Sequence, residues 1–345
     1  MNTDNKTQSN INKKIICLVT GGAGFIGSHL VDELINLGYK VVVLDNLSGG
    51  FLRNINSKAI FIKGSVTNQK LVDSLFNKYN FDYVFHLAAY AAEGLSPFIR
   101  RFNYENNLIG SINLINASIK HQIKKFIFTS SIAVYGTNQT PMVESLTPQP
   151  EDPYGIAKYA IELDLEAAHK MFGLNYVIFR PHNVYGERQN HGDPYRNVLG
   201  IFINNIMLHK PLTIFGDGNQ TRAFTYVKDV APYIAQSATN DQATNQIINI
   251  GSEKPYTINE IAEIISQYFS KKTEIIHFPP RIEVYQAFSN HLKAKKIFNI
   301  KNETKMEVGL KSMIAYAQKI GPIKPKKFKN IEIEENLPPS WAKLT

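Results

Sequence analysis

Short runs of β-branched and aliphatic residues alternate with longer amphipathic stretches through the first half of the chain. Runs over 15–20, 41–45, 60–63, 83–87, 125–130 and 176–180 read as strands, and segments beginning near Gly27, Gln69, Asn103 and Tyr154 read as helices. Apolar runs followed by helical periods indicate βαβ units, a parallel sheet with helices on both faces. In the first helix Leu30, Leu34 and Leu37 fall on one stripe, and Gly38 ends it. Beyond Pro181 the rhythm becomes irregular and richer in Gly, Pro and Asn. Stretches 186–196 and 216–222 read as loops, 212–215, 223–227, 247–250 and 274–278 as short strands, and 258–269 and 305–320 as helices. The pattern predicts an α/β protein of two lobes, divided near 180–186.

Composition narrows the class. At 345 residues and 43% hydrophobic, the chain is long enough for a sizeable core around a cleft. Met1 to Asn12 are polar and lack the apolar stretch of a secretory signal, so residues 1–12 are expected to be a frayed tail. No apolar run is long enough to cross a bilayer. The single Cys17 excludes an internal disulfide, and its apolar neighbours predict a buried packing residue. These features together predict a cytoplasmic protein without membrane association. The net charge of +9 favours acidic ligands in general. Its clearest clusters (Lys293, Lys295, Lys296, then Lys324, Lys326, Lys327, Lys329) lack interleaved aromatics and read as solvated surface, not as a nucleic-acid site.

The chemistry begins at Thr20-Gly21-Gly22-Ala23-Gly24-Phe25-Ile26-Gly27, between the first strand and the first helix. Glycines at 21, 24 and 27 permit a tight turn and close approach of a pyrophosphate, which the helix N-terminus attracts through free N–H groups. Asp45 ends the second strand, where a carboxylate receives the hydroxyls of an adenine ribose. A carboxylate there repels a 2′-phosphate, which predicts NAD and not NADP, although Arg53 is near enough in sequence to bend back. The expected fold is therefore of the Rossmann type, doubly wound, with a smaller C-terminal α/β lobe.

Tyr154 and Lys158 stand four residues apart, so a helix stacks them on one face. A free phenol titrates near about 10 and is a poor base at neutrality. A neighbouring ammonium, and the positive ring of NAD, are expected to favour the phenolate. The run Phe128-Thr129-Ser130-Ser131 ends a strand in hydroxyls, at the edge where open parallel sheets place their sites. Ser131 is placed to hydrogen-bond the same substrate hydroxyl as Tyr154.

With these residues in hand, the chain resembles the extended short-chain dehydrogenase/reductase proteins, in their nucleotide-sugar epimerase and dehydratase branch. The resemblance rests on Thr20 to Gly27, Asp45, His86-Leu87-Ala88-Ala89, Asn107, Thr129 to Gly136, Tyr154 with Lys158, and Arg180 to Gly186. It continues through Gly216-Asp217-Gly218, Arg222, Asp229 and Pro279-Pro280-Arg281. It implies Tyr154 as base, Lys158 as its electrostatic partner and holder of the nicotinamide ribose, and Ser131 as helper. It implies an NAD site made by Gly21, Gly24, Phe25, Ile26, Gly27, Asp45, Asn46, Ser65, Val66, Leu87, Ala88, Ala89, Asn107, Tyr154 and Lys158. It further implies Asn183, Arg222, Arg281 and Glu283 on the nucleotide diphosphate and ribose, with Ala287 beside the sugar's 2-substituent. No metal is implied. Residues 13–183 would hold NAD, and 184–345 mainly the nucleotide sugar, with some segments returning to the first lobe. Where the family commonly has Gly-Asp after its third strand this chain has Gly64-Ser65, so Ser65 or the backbone must meet the adenine.

Dehydratases of the branch carry an Asp-Glu pair just after the catalytic hydroxyl, decarboxylases a Glu and 3,5-epimerases a Cys in that segment; here stand Ile132 and Ala133. The resemblance then implies a 4-epimerase of a UDP-hexose, acting through a transient 4-keto sugar: glucose/galactose, N-acetylated or uronic acid forms. The small Ala287 leaves room for an N-acetyl group. Rival readings are a 4-keto-sugar reductase or a dehydratase of the same fold, or, from another class, a non-catalytic dinucleotide-sensing or RNA-binding regulator. Relatives pair two helices per subunit, which implies a homodimer through segments near 97–120 and 154–172, with Ile109, Ile112, Ile115, Ile161 and Leu165 as apolar positions.

Overall fold

The computed structural model describes residues 14–270, 273–280 and 283–342. The expected tail over 1–12 and the predicted Arg281 lie outside the described residues. Strands β1 (Ile16–Thr20), β2 (Lys40–Asp45) and β3 (Ile60–Lys63) alternate with helices α1 (Phe25–Asn36) and α2 (Gln69–Lys78). There follow β4 (Tyr83–His86), α3 (Arg100–Tyr104), a π turn over Glu105–Ile109, α4 (Gly110–Lys120), β5 (Lys125–Thr129), α5 (Pro153–Phe172) and β6 (Tyr176–Pro181). The second lobe adds β7 (Val184–Tyr185), α6 (Val198–Met207), β8 (Leu212–Phe215), β9 (Thr221–Ala223), β10 (Thr225–Tyr226) and α7 (Ala231–Gln236). It goes on through β11 (Gln246–Ile250), β12 (Pro255–Thr257), α8 (Ile258–Tyr268), β13 (Ile275–Phe278), β14 (Gln286–Ala287), α9 (Leu292–Phe298), α10 (Met306–Ile320) and a final turn, α11 (Pro339–Ala342).

The main sheet has the order β11-β6-β5-β4-β1-β2-β3, every pair parallel. This is the Rossmann-type doubly wound arrangement that the apolar runs predicted. The order reverses between β1 and β4, and the crevice beyond their carboxyl ends is where such sheets bind ligands. Runs such as Val41–Leu44 and Phe126–Phe128 are fully buried because helices cover both faces. The seventh strand, β11, comes from beyond residue 240, so the chain returns to the first sheet after starting the second lobe. Small sheets (β12-β9-β14, β13-β8 and β10-β7) build that lobe.

Three readings from the pattern need correction. Leu37 does not share the buried stripe of Leu30 and Leu34: it is the C-cap of α1 and 51% exposed. The helix expected near Asn103 starts at Arg100, and its π turn adds a residue that shifts the inward face. Ile115, Ile161 and Leu165 pack inside the chain's own core, while Ile109, Ile156 and Leu163 face outward. Cys17 is fully buried, and that burial raises its thiol far above the ordinary range, so it is inert. Among the described residues no helix is long and apolar enough to cross a membrane.

The contrast inside α1 is testable. Leu34→Ala removes a fully buried side chain and should cost about 2–5 kcal/mol in urea unfolding. Leu37→Ala should stay within about 0.5 kcal/mol. Equal losses would contradict this packing.

Candidate active site

A cavity of about 1240 Å³ runs from the carboxyl edge of the main sheet into the second lobe. Its first end is the glycine turn. Gly21 has φ 73°, and a Cβ on Gly27 would run into the Gly21 carbonyl, so the turn closes only with glycine there. The N-cap of α1 is Gly24, with no side-chain cap and no acid in the first turn. The amides at that end are thus left for an anionic ligand. Asp45 Oδ2 accepts from the Ala23 amide (3.0 Å) and Oδ1 from Leu47 (2.7 Å), so the carboxylate also braces the turn. Burial raises its pKa, and these amide bonds pull the other way. Arg53 does not bend back: its guanidinium lies 3.8 Å over the Phe51 ring, beside a separate surface depression with Asp32 and Arg188. These features fit a dinucleotide with free ribose hydroxyls.

Gly21, Gly24, Phe25, Ile26, Gly27, Asp45, Asn46, Ser65, Val66, Leu87, Ala88 and Ala89 all line the cavity. Asn107 does not. It is buried, accepts from the Tyr90 amide (2.8 Å) and donates to the Tyr90 carbonyl and to Asn103 Oδ1, while its neighbour Asn106 reaches the wall. Both residues lie in the π turn, and Asn107 braces the wall from behind through Tyr90. The Ser65 hydroxyl is engaged with Thr67 Oγ1 at 2.8 Å, so its backbone is the freer group for a base.

The middle of the cavity holds the hydroxyls and the cation. Pro at the first position and Asp152 as N-cap start α5; Asp152 Oδ1 accepts from Tyr154 (2.9 Å) and Gly155 (3.1 Å). A Cβ on Gly155 would come within 2.6 Å of the Ala133 carbonyl, so this glycine lets the first turn of α5 press against the segment after β5. That approach lets Tyr154 hydrogen-bond Ser131, whose Oγ also accepts from the Ala133 amide at 3.1 Å. Lys158 Nζ donates to the Thr129 carbonyl at 2.7 Å and lies 5.8 Å from the Tyr154 ring centre. One turn further on, Glu162 accepts from Ser130 Oγ and pairs with Arg180, both partners fully buried.

Electrostatics depart from expectation. The phenol of Tyr154 is raised by burial, with the Ser131 hydrogen bond opposing. Burial brings the Lys158 ammonium down to about 7, against the pull of Glu162. Desolvation thus dominates at both groups. Sequence reasoning missed Arg196, in the loop after β7. Its guanidinium sits 4.8 Å from the Tyr90 ring centre, paired with Asp193, and its charge favours the Tyr154 phenolate. Glu93, also missed, lines the cavity and acts on the phenol in the opposite sense. Arg196 lies in an irregular segment and Glu93 opens a short 3-10 turn, Glu93–Phe98, neither of which leaves a periodic signal.

At the far end Asn183, Arg222, Glu283 and Ala287 all line the cavity. Asn183 donates to the Ala223 carbonyl (3.1 Å), and Arg222 pairs with Glu283 at 3.5 Å and donates to Tyr285 O. Ala287 is Arg222's neighbour across β14 and β9, and packs with Ile132 and Tyr135 beside the turn that follows β5. Ile132 and Ala133 line the same space and carry no titratable group. Among the described residues no three His, Cys, Asp or Glu side chains gather as a metal site.

The chain is 38% identical over 302 residues to a putative UDP-glucose 4-epimerase of Methanocaldococcus jannaschii, spanning 86% of this chain and 96% of that protein. The crystal structure of the Thermotoga maritima UDP-glucose 4-epimerase with UDP-glucose superposes with a TM-score of 0.85 at 37% identity, over 89% of this chain and 99% of that one. The UDP-N-acetylglucosamine 4-epimerase of Methanobrevibacter ruminantium, in complex with UDP-N-acetylmuramic acid, superposes with a TM-score of 0.82 at 36% identity, over 88% and 98%. The model of the NAD dependent epimerase/dehydratase family matches residues 17–251. With the glycine turn, the Tyr154–Lys158 pair and these likenesses together, this chain belongs to the NAD dependent epimerase/dehydratase family.

Proposed function

We propose that the chain is a 4-epimerase of a UDP-hexose that uses bound NAD and works through a transient 4-keto sugar. The observation that carries this reading is the meeting of Ser131, Tyr154 and Lys158 in one cavity with the glycine turn, while Ile132 and Ala133 occupy the next two positions. Nothing at those two positions can move the extra proton that elimination of water needs. When bound, NAD would supply a hydride acceptor that returns what it receives.

The chain's own residues do the rest. Gly21, Gly24 and the first turn of α1 hold a pyrophosphate, and Asp45 takes the adenine ribose hydroxyls. Tyr154 removes the proton of the sugar 4-hydroxyl and gives it back, with Ser131 sharing the hydrogen bond. Lys158 and Arg196 oppose the burial penalty on the phenolate. Asn183 and Arg222 hold the diphosphate, a guanidinium fork matching its oxygens, and Glu283 takes the uridine ribose. Arg281, beyond the described residues, joins them in this reading. A sugar tethered only at its diphosphate can turn its other face to the same hydride site, which inverts the centre. In this reading residues 13–183 serve the cofactor and 184–345 mainly the nucleotide sugar. The outward Ile109, which closes the π turn before α4, and Ile156 and Leu163 of α5 suit a homodimer; of the other positions first expected, Ile115, Ile161 and Leu165 face inward.

Tyr154→Phe should lower turnover about 10²–10⁴-fold while bound NAD is retained. Turnover assays and the absorbance of the purified protein check this; full activity would exclude Tyr154 as base. Ala287→Tyr should reduce kcat/KM on UDP-N-acetylhexosamines by at least about tenfold. It should spare UDP-glucose, and equal loss on both would refute the role given to Ala287.

A further inference from the structure

After α10 the chain leaves the second lobe and crosses to the first. His191 hydrogen-bonds the Gly321 carbonyl, and the Asn204 side chain bonds both the amide and the carbonyl of Ile323. Phe328 then packs between Tyr90 and Phe102, at 5.1 Å from each ring centre, and its amide donates to the Tyr195 hydroxyl. Glu332 caps α3 with both carboxylate oxygens, accepting from the amides of Arg101 (2.8 Å) and Phe102 (2.9 Å). Its own amide donates to the Phe98 carbonyl at 2.8 Å. The segment ends in α11, where Trp341 is buried edge-on to Tyr195 (5.2 Å), Phe98 and Phe215 (both 6.4 Å). A strap about 20 residues long therefore bridges both lobes by specific bonds.

The strap also faces inward. Residues 335 to 341 line the cavity, on the side where Phe215, Gln220 and Glu283 stand. Gln220 ties that side together, donating to the Phe215 carbonyl (2.9 Å) and to Glu283 (3.4 Å), and Glu283 pairs with Arg222. Trp341 thus closes the aromatic corner next to the residues assigned to the nucleotide. Ser340 Oγ is buried on this wall and has no hydrogen-bond partner among the described residues. A buried hydroxyl left unpaired costs about 1–3 kcal/mol, so it is a group that a ligand acceptor would satisfy.

The geometry points to the strap as part of the binding site: residues 335–341, through Ser340 and Trp341, form the wall that holds the nucleoside of the nucleoside diphosphate sugar. This rests on the UDP-sugar reading above. The strap sets nucleotide affinity, while the sugar and cofactor contacts belong to other elements. Because it spans both lobes, it also fixes their separation at the nucleotide end.

Trp341 is the sole tryptophan of the chain, so its emission reports on the strap directly. UDP is titrated into NAD-loaded protein and followed by tryptophan emission and by calorimetry. Saturable change in emission is expected, with the same Kd as the calorimetric signal. Ser340→Ala should weaken UDP at least threefold and Trp341→Ala at least tenfold, with NAD affinity unchanged. UDP binding that leaves the emission unmoved, with both variants binding as tightly as the parent, would overturn the strap's role alone. No UDP binding by the unsubstituted protein would overturn the nucleotide-sugar reading, and the strap's role with it.

Discussion

The site depends on a carboxylate that never meets water. Glu162 lies two turns below Tyr154 and one below Lys158 on the same face of α5, and is paired with Arg180 of β6 and bonded to Ser130 just after β5. Removing one member of a buried pair leaves the other charge uncompensated, at a cost of about 3–5 kcal/mol. The pair therefore locks the register of α5 against the ends of two strands. Lys158, bonded to the last carbonyl of β5, and Tyr154, against the turn that follows, inherit their positions from that lock. Arg180 also lies over the Tyr135 ring, whose hydroxyl donates to Asn249 of β11, so the anchor reaches the strand that returns from the second lobe.

Around this anchor, charge is arranged against desolvation. Burial alone makes Tyr154 a weaker acid and Lys158 a weaker base. A productive site needs positive charge near the phenol, and Arg196 supplies part of it from a loop outside the main sheet. A nicotinamide cation in the adjoining groove would act in the same sense. The electrostatics at Tyr154 are thus set jointly by the main sheet and a loop of the second lobe.

Much of this was legible in the chain. A parallel sheet buried on both faces leaves continuous apolar runs, so six of the seven strands of the main sheet could be read directly, and β11 was read as a strand without its place in the sheet. The glycine turn, Asp45 and the Tyr154–Lys158 spacing are local and keep their meaning without tertiary information. What escaped notice depends on distance in the fold. Leu37 looked like core because a stripe has no memory of where its helix stops. Asn107 is implied by the resemblance alone, and the bonds to Tyr90 and Asn103 that hold it behind the wall leave no local signal. Arg196, Glu93 and the strap occupy segments without a helix or strand period, and only their packing shows that they share one cavity.

The central claim is that the hydrogen at C4 leaves and returns as hydride inside a closed site, without exchange with water. The direct test uses a UDP-hexose labelled with deuterium at C4, incubated with the purified protein in ordinary water and examined by mass spectrometry and NMR. The account predicts that the epimer keeps its deuterium at C4. Epimer formed with the label replaced by solvent hydrogen would contradict it.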